Sequence, residues 1–131
     1  MSAEFEPYPR SSPFFDGIGP LLSRDGDAGL EFALEIDDRH VNDRGFAHAG
    51  VLSSVADVSL GYATAFSQDP PVPVVTTSLT IDFAGRAVPG DTLVATVDVQ
   101  RVGRRMAFAN CYLSVEERRI ARASAVFANV S

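Results

Sequence analysis

The chain has 131 residues, 46% hydrophobic and 21% charged, and its 11 Lys+Arg against 17 Asp+Glu give a formal charge of −6. That length holds one domain around a single core, and the composition is that of an ordinary globular protein. The acidic balance, with no dense basic run to offset it, argues against a nucleic-acid partner.

Cys111 is the single cysteine. It cannot close an intrachain disulfide, and its strand-like surroundings read as those of a small buried apolar side chain. The N-terminus lacks a basic stretch followed by an apolar one, so no secretion signal is expected. No helix-like stretch is apolar for long enough to span a bilayer. A cytoplasmic protein with no membrane partner is expected.

Residues 1–13 are polar and carry Pro7, Pro9 and Pro13. They read as a flexible lead-in to a single domain over 14–131. Phe14 to Leu22 reads as a short turn or helix, interrupted by Gly17 and Gly19. From Gly29 to Ile36, Leu30, Phe32, Leu34 and Ile36 alternate with Glu31, Ala33 and Glu35, the period of a half-buried strand. A polar loop follows, from Asp37 to Ala49. Between Ala49 and Phe66 the period lengthens: Val51, Val55, Val58 and Tyr62 fall on one face of a helix. The prolines at 70, 71 and 73 end it.

The remainder reads as strand. Val75, Thr77, Leu79, Ile81 and Phe83 alternate with Thr76, Ser78, Thr80 and Asp82; Leu93 to Gln100, Met106 to Val115 and Ile120 to Val130 follow, joined by short turns that favour antiparallel neighbours. One strand, one long helix and four further strands predict an α+β fold with the helix against one sheet face. The small apolar residues Ala121, Ala123 and Ala125, with Phe127, are expected on outer surfaces. A second copy would cover them, so a homo-oligomer is expected.

The segment with the most chemistry is His40-Val-Asn42-Asp-Arg-Gly45-Phe-Ala-His48-Ala49-Gly50, which leads into Val51-Leu-Ser-Ser-Val-Ala-Asp57. The first turn of a helix has backbone N–H groups without intrahelical acceptors and a partial positive charge, so it can hold a carbonyl oxygen that becomes an oxyanion. Ala49 and Gly50 are the candidate donors. Asp57 shares a face with Ser53, Ser54, Gly61 and Thr64, and is either a solvated helix aspartate or a general base or nucleophile. His48 reads first as a hydrogen-bonding structural residue, and so does His40. Asn42 either caps the loop or orients a water. Two histidines and scattered carboxylates show no metal-ligand spacing, so no catalytic metal is expected.

The run H-x-N-x-x-G-x-x-H-[AG]-G-V-L-x-x-x-A-D on a strand–loop–helix, with four strands after it, resembles the hotdog-fold thioesterases of the phenylacetate-pathway (PaaI-like) type. The resemblance covers Phe15 to Val130. It implies one central helix wrapped by a curved antiparallel sheet, and hydrolysis of an acyl-CoA to a carboxylic acid and free CoA. CoA is then part of the substrate, and no cofactor is needed. The resemblance gives Asp57 the role of activating water or attacking the thioester, Asn42 that of placing water or substrate, and the Ala49 amide that of polarising the carbonyl. A Ser or Thr early in the next strand assists the carboxylate from the partner of a homodimer or homotetramer; Thr76 is the nearest match, with Thr77 one position away. Arg104 and Arg105, and after them Arg86, are candidates for the CoA phosphates. Where the family usually has His-Gly-Gly, this chain has His48-Ala49-Gly50, which narrows the space beside that amide. Two rival functions are an enoyl-thioester hydratase or dehydratase, whose Asp-x-Asn-x-x-His loop this sequence does not match, and a non-catalytic acyl-CoA-binding module.

Overall fold

The computed structural model describes residues 4–131. In chain order the elements are β1 (Glu6–Pro7), α1 (Pro13–Asp16), β2 (Leu22–Gly26), β3 (Gly29–Glu35), a 3-10 turn (Asp38–His40), α2 (Ala49–Ala65), β4 (Val74–Phe83), β5 (Thr92–Val102), β6 (Met106–Val115) and β7 (Arg118–Asn129). The strands form one curved antiparallel sheet in the spatial order β1-β2-β3-β5-β6-β7-β4. The long helix α2 lies in its concave face, as the sequence predicts.

The buried stripe of α2 is Leu52, Val55, Ala56, Ser59, Leu60 and Ala63. This is the three-and-four spacing of an amphipathic helix, rotated from the expected stripe. Val51, Val58 and Tyr62 are only partly buried, and Thr64, expected beside Asp57, is fully buried. Leu52, Val55 and Leu60 supply the apolar bulk of that face, and the small residues between them let the helix lie close to the sheet. The facing side chains are also small: Ala107, Ala109, Cys111, Ala121, Ala123 and Ala125 are all buried. The last three, with Phe127, therefore point at the helix rather than outward. The exposed apolar residues of the sheet are instead Val75, Phe83, Met106, Phe108 and Tyr112.

The lead-in is also packed. Glu6–Pro7 pairs with Leu22–Ser23, and the Tyr8 N–H donates to Leu21 O at 2.8 Å. The Tyr8 ring meets Phe32 edge-on at 5.2 Å and lies 4.8 Å from Tyr62. Prolines made this stretch look structureless, yet one aromatic anchor fixes it across the helix. Residues 1–3 lie outside the described residues. The strand β2, Leu-Ser-Arg-Asp-Gly, has no apolar alternation and is held by its pairing with β3.

The sheet has two edge strands among the described residues, the two-residue β1 and the ten-residue β4. β4 pairs with β7 alone, over its whole ten-residue length, and most of its residues are exposed. A long unpaired edge is a template for a further strand.

Candidate active site

The loop before α2 is a small closed hairpin. Val41 bridges Ala47, the Asn42 N–H donates to Phe46 O at 2.7 Å, and Gly45 turns the chain at φ 85, a conformation that favours glycine. Asn42 Oδ1 accepts from the N–H groups of Arg44 (2.9 Å) and Phe46 (3.2 Å). Its Nδ2 has no acceptor among the described residues and remains a donor. His40 is buried. Its Nδ1 accepts from the Asp37 N–H at 2.9 Å, so the proton is on Nε2, which donates to Ile18 O at 2.7 Å. The Arg39 backbone N–H holds the Asp37 carboxyl below its ordinary pKa.

His48 caps the helix. Its Nδ1 accepts from the Gly50 N–H at 2.8 Å, and its backbone oxygen accepts from Val51 and Leu52. Gly50 is therefore not a free donor. Ala49 is: its N–H has no acceptor among the described residues, and the residue is exposed. Of the two amides expected to hold a carbonyl oxygen, one is taken by the cap and one is left open.

Two turns on, Asp57 is half-buried, and its Oδ1 accepts from Thr76 Oγ1 at 2.7 Å. Both residues belong to the same chain, so the hydroxyl does not come from a partner. A β-bulge sets the contact. Thr76 pairs with Phe127 and Ser78 with Val126, which leaves Thr77 as the extra residue, its hydroxyl donating to Val126 O at 2.9 Å. The bulge reverses the alternation of β4. Leu79 and Ile81 face the helix after it, and Thr76 faces the helix before it. Strict alternation from Leu79 would have turned Thr77 inward.

Asp57 and Thr76 open into a cavity of about 500 Å³, walled by Val58, Gly61, Tyr62, Phe66 and Phe127. The Ala49 and Asn42 end opens into a separate cavity of about 300 Å³, with Phe46, Phe83 and Arg86. The Arg86 guanidinium lies 4.5 Å from the centre of the Phe46 ring. Arg104 and Arg105 are exposed in the β5–β6 turn, which Asn129 holds by bonds to Gly103 O and Arg105 O. Of the three arginines singled out in the sequence, Arg86 alone lines a cavity with Ala49. No group of three or more His, Cys, Asp or Glu side chains that could hold a metal occurs among the described residues.

Sequence reasoning did not single out Arg10, which lines the Asp57 cavity. It lies in the stretch read as a lead-in, and only the folding of β1 against β2 brings it there.

One long helix in a curved antiparallel sheet, with a free amide at its start and an aspartate on its middle, defines a hotdog-fold protein. Residues 44–121 match the family model of the thioesterase superfamily, and the chain belongs to that family. It is 50% identical over 124 residues to the Pseudomonas aeruginosa protein named "Putative esterase PA0474", covering 94% of this chain and 92% of that protein. Among solved structures, a mutant of the phenylacetic acid degradation protein PaaI from Thermus thermophilus superposes with a TM-score of 0.79 at 22% identity, over 91% of this chain and all of that one. Streptococcus mutans smu.793, solved with bound acetyl CoA, superposes with a TM-score of 0.73 at 20% identity, over 78% and 81% of the two chains. No described helix is long and apolar enough to cross a membrane.

Proposed function

We propose that the protein hydrolyses an acyl-CoA at a site formed by two copies of the chain, with Asp57 of one copy activating water and the Ala49 amide of the other holding the thioester carbonyl. The observation that carries this reading is the division of the chemistry between two cavities. Asp57 and Ala49 sit about 12 Å apart along one helix and share no cavity wall within the chain. β4 runs from Thr76, at the Asp57 cavity, to Phe83, at the Ala49 cavity. Antiparallel pairing of its open edge with a second copy, about a two-fold axis, sets the Thr76 end of one chain beside the partner's Phe83. Each Asp57 cavity then meets the partner's Ala49.

In the assembled site the partner's Ala49 donates its N–H to the carbonyl oxygen as negative charge builds there. Thr76 donates to Asp57 Oδ1 and leaves Oδ2 to take a proton from water. The water oxygen bonds to the carbonyl carbon, the C–S bond breaks, and the thiolate leaves as CoA. The partner's Asn42, with a free Nδ2, supplies a second donor near the carbonyl or the water. The partner's Arg86 is placed to meet CoA phosphate. Arg104 and Arg105 offer a second, exposed basic group on the β5–β6 turn, which the Asn129 N–H ties at Arg105 O, one residue before the Val130 N–H that donates to Pro73 O. The bound acetyl CoA of smu.793 supports a CoA ester as ligand. The scheme uses no separate cofactor. CoA chemistry and a lone, free, buried cysteine fit a reducing cytoplasm.

The test is complementation. Asp57→Asn removes the base. Ala49→Pro removes the amide and keeps the helix, because proline suits the first helical position and His48, at φ −62 and ψ 139, already has the backbone that precedes a proline. Each variant alone is expected to be inactive. Mixing equal amounts and allowing subunits to exchange is expected to restore about a quarter of wild-type thiol release, one intact site in half of the dimers. No recovery, with exchange verified, would place both residues of a site in one chain.

A further inference from the structure

The Asp57 cavity has a charged far end. It follows α2 from Asp57 past Gly61 and Tyr62 to Phe66, about 13 Å along the helix, between walls that are apolar and aromatic. At the Phe66 end stands Arg10, its guanidinium 4.8 Å from the centre of the Phe66 ring. The strap that carries it is fixed on both sides: Tyr8 donates its N–H to Leu21 O, and its ring packs at a tilt against Tyr62. Burial raises the Tyr8 hydroxyl pKa, Tyr62 adds to the rise, and the nearby Arg10 charge opposes it. No carboxylate of the described residues lies within ion-pair distance of Arg10. A cation without an acidic partner, at the end of an apolar channel in a protein of net charge −6, is complementary to an anion brought by the ligand.

We propose that the acyl group held in this cavity ends in a carboxylate, which the Arg10 guanidinium binds. The inference rests on the thioesterase reading, with the thioester carbon at Asp57. A planar guanidinium meets a carboxylate with two parallel hydrogen bonds, and that of Arg10, exposed at the cavity mouth over the Phe66 ring, has no hydrogen-bond partner among the described residues to compete for them. Some 3 Å at the Asp57 end is taken by the attacking water, which leaves about 10 Å for the chain. At about 1.2 Å per bond, the seven bonds of an eight-carbon chain span about 8–9 Å, which fits that length. The preferred class is an ω-carboxyacyl thioester, the half-thioester of a medium-length dicarboxylic acid.

Suberoyl-CoA and octanoyl-CoA have the same chain length and the same CoA, and differ in a carboxylate or a methyl at the far end. Wild type is expected to favour suberoyl-CoA about tenfold or more in kcat/KM, the effect of a hydrogen bond to a charged group. In Arg10→Ala that ratio is expected to collapse towards one, and Arg10→Lys to keep part of it. A wild type that prefers octanoyl-CoA overturns the proposal. So does an Arg10→Ala variant that loses equally on both esters, since Arg10 would then serve the CoA phosphates or the fold. Calorimetric titration of Asp57→Asn with the two esters reads the same preference without turnover. Tighter binding of suberoyl-CoA there, with no thiol release by wild type from either ester, would uphold the Arg10 site and sink the hydrolysis reading instead.

Discussion

The first turn of α2 and its middle both face cavities, but they present different kinds of group to them. The first turn offers backbone. Its donor is the Ala49 N–H, left open because His48 Nδ1 takes the neighbouring Gly50 N–H. The middle offers side chains, an aspartate oriented by a threonine. A backbone donor survives almost any change of side chain at its own position, so alanine at position 49 presents the same N–H that glycine would. A side-chain pair depends on both identities and on strand register. The first region is therefore tolerant and the second exacting.

The sharpest way to break that contrast is at Asp57. Asp57→Asn keeps the shape and removes the carboxylate proposed as the base, and thiol release is expected to fall about 10²–10⁴-fold with an unchanged circular dichroism spectrum. Full activity in that variant would remove Asp57 from the reaction. Ala49→Pro comes next, with an expected loss of about 10²–10³-fold in kcat for one oxyanion donor. A loss confined to KM would show that this amide binds the ground state only.

The threonines sharpen the comparison through register. Thr76→Val is expected to cost about tenfold in kcat, the loss of one hydrogen bond to a charged group. Thr77→Val removes a bond to Val126 O, so it should change stability slightly and leave kcat alone. The reverse pattern would mean that the bulge lies elsewhere when substrate is bound. A smaller effect is expected at His48. His48→Ala loses the cap, at about 1 kcal/mol of stability measured by denaturant titration. A hundredfold loss of kcat at unchanged stability would instead make His48 a reacting group.

The smallest expected effect lies outside both regions. Burial pushes the Cys111 thiol up to about 12 from an ordinary value of 9.0. The folded protein therefore keeps that proton where the unfolded chain releases it, and stability is expected to fall as pH rises above about 9. At pH 8 the thiol should not react with a disulfide reagent until the protein is unfolded. Rapid reaction in the native state would show that the sheet opens at β6.

The sequence by itself determined the central helix, the strand β3 before it and the four strands after it, because each has a hydrophobic period that burial on one face requires. It also located the loop–helix segment, since the glycine, the histidine cap and the aspartate lie within one short run. Long-range placement was not legible. The short strand β1 and the polar strand β2 have no period of their own and exist through pairing with a neighbour. Arg10 came to the cavity with them. The buried face of α2 has Leu52, Val55 and Leu60 as its apolar residues, but its rotation also depends on Ala56, Ser59 and Ala63, whose small size matters only against the opposing alanines of β6 and β7. Whether Thr76 or Thr77 faces Asp57 depended on one bulge, and a bulge is a property of two paired strands, so a single strand read by itself cannot show it.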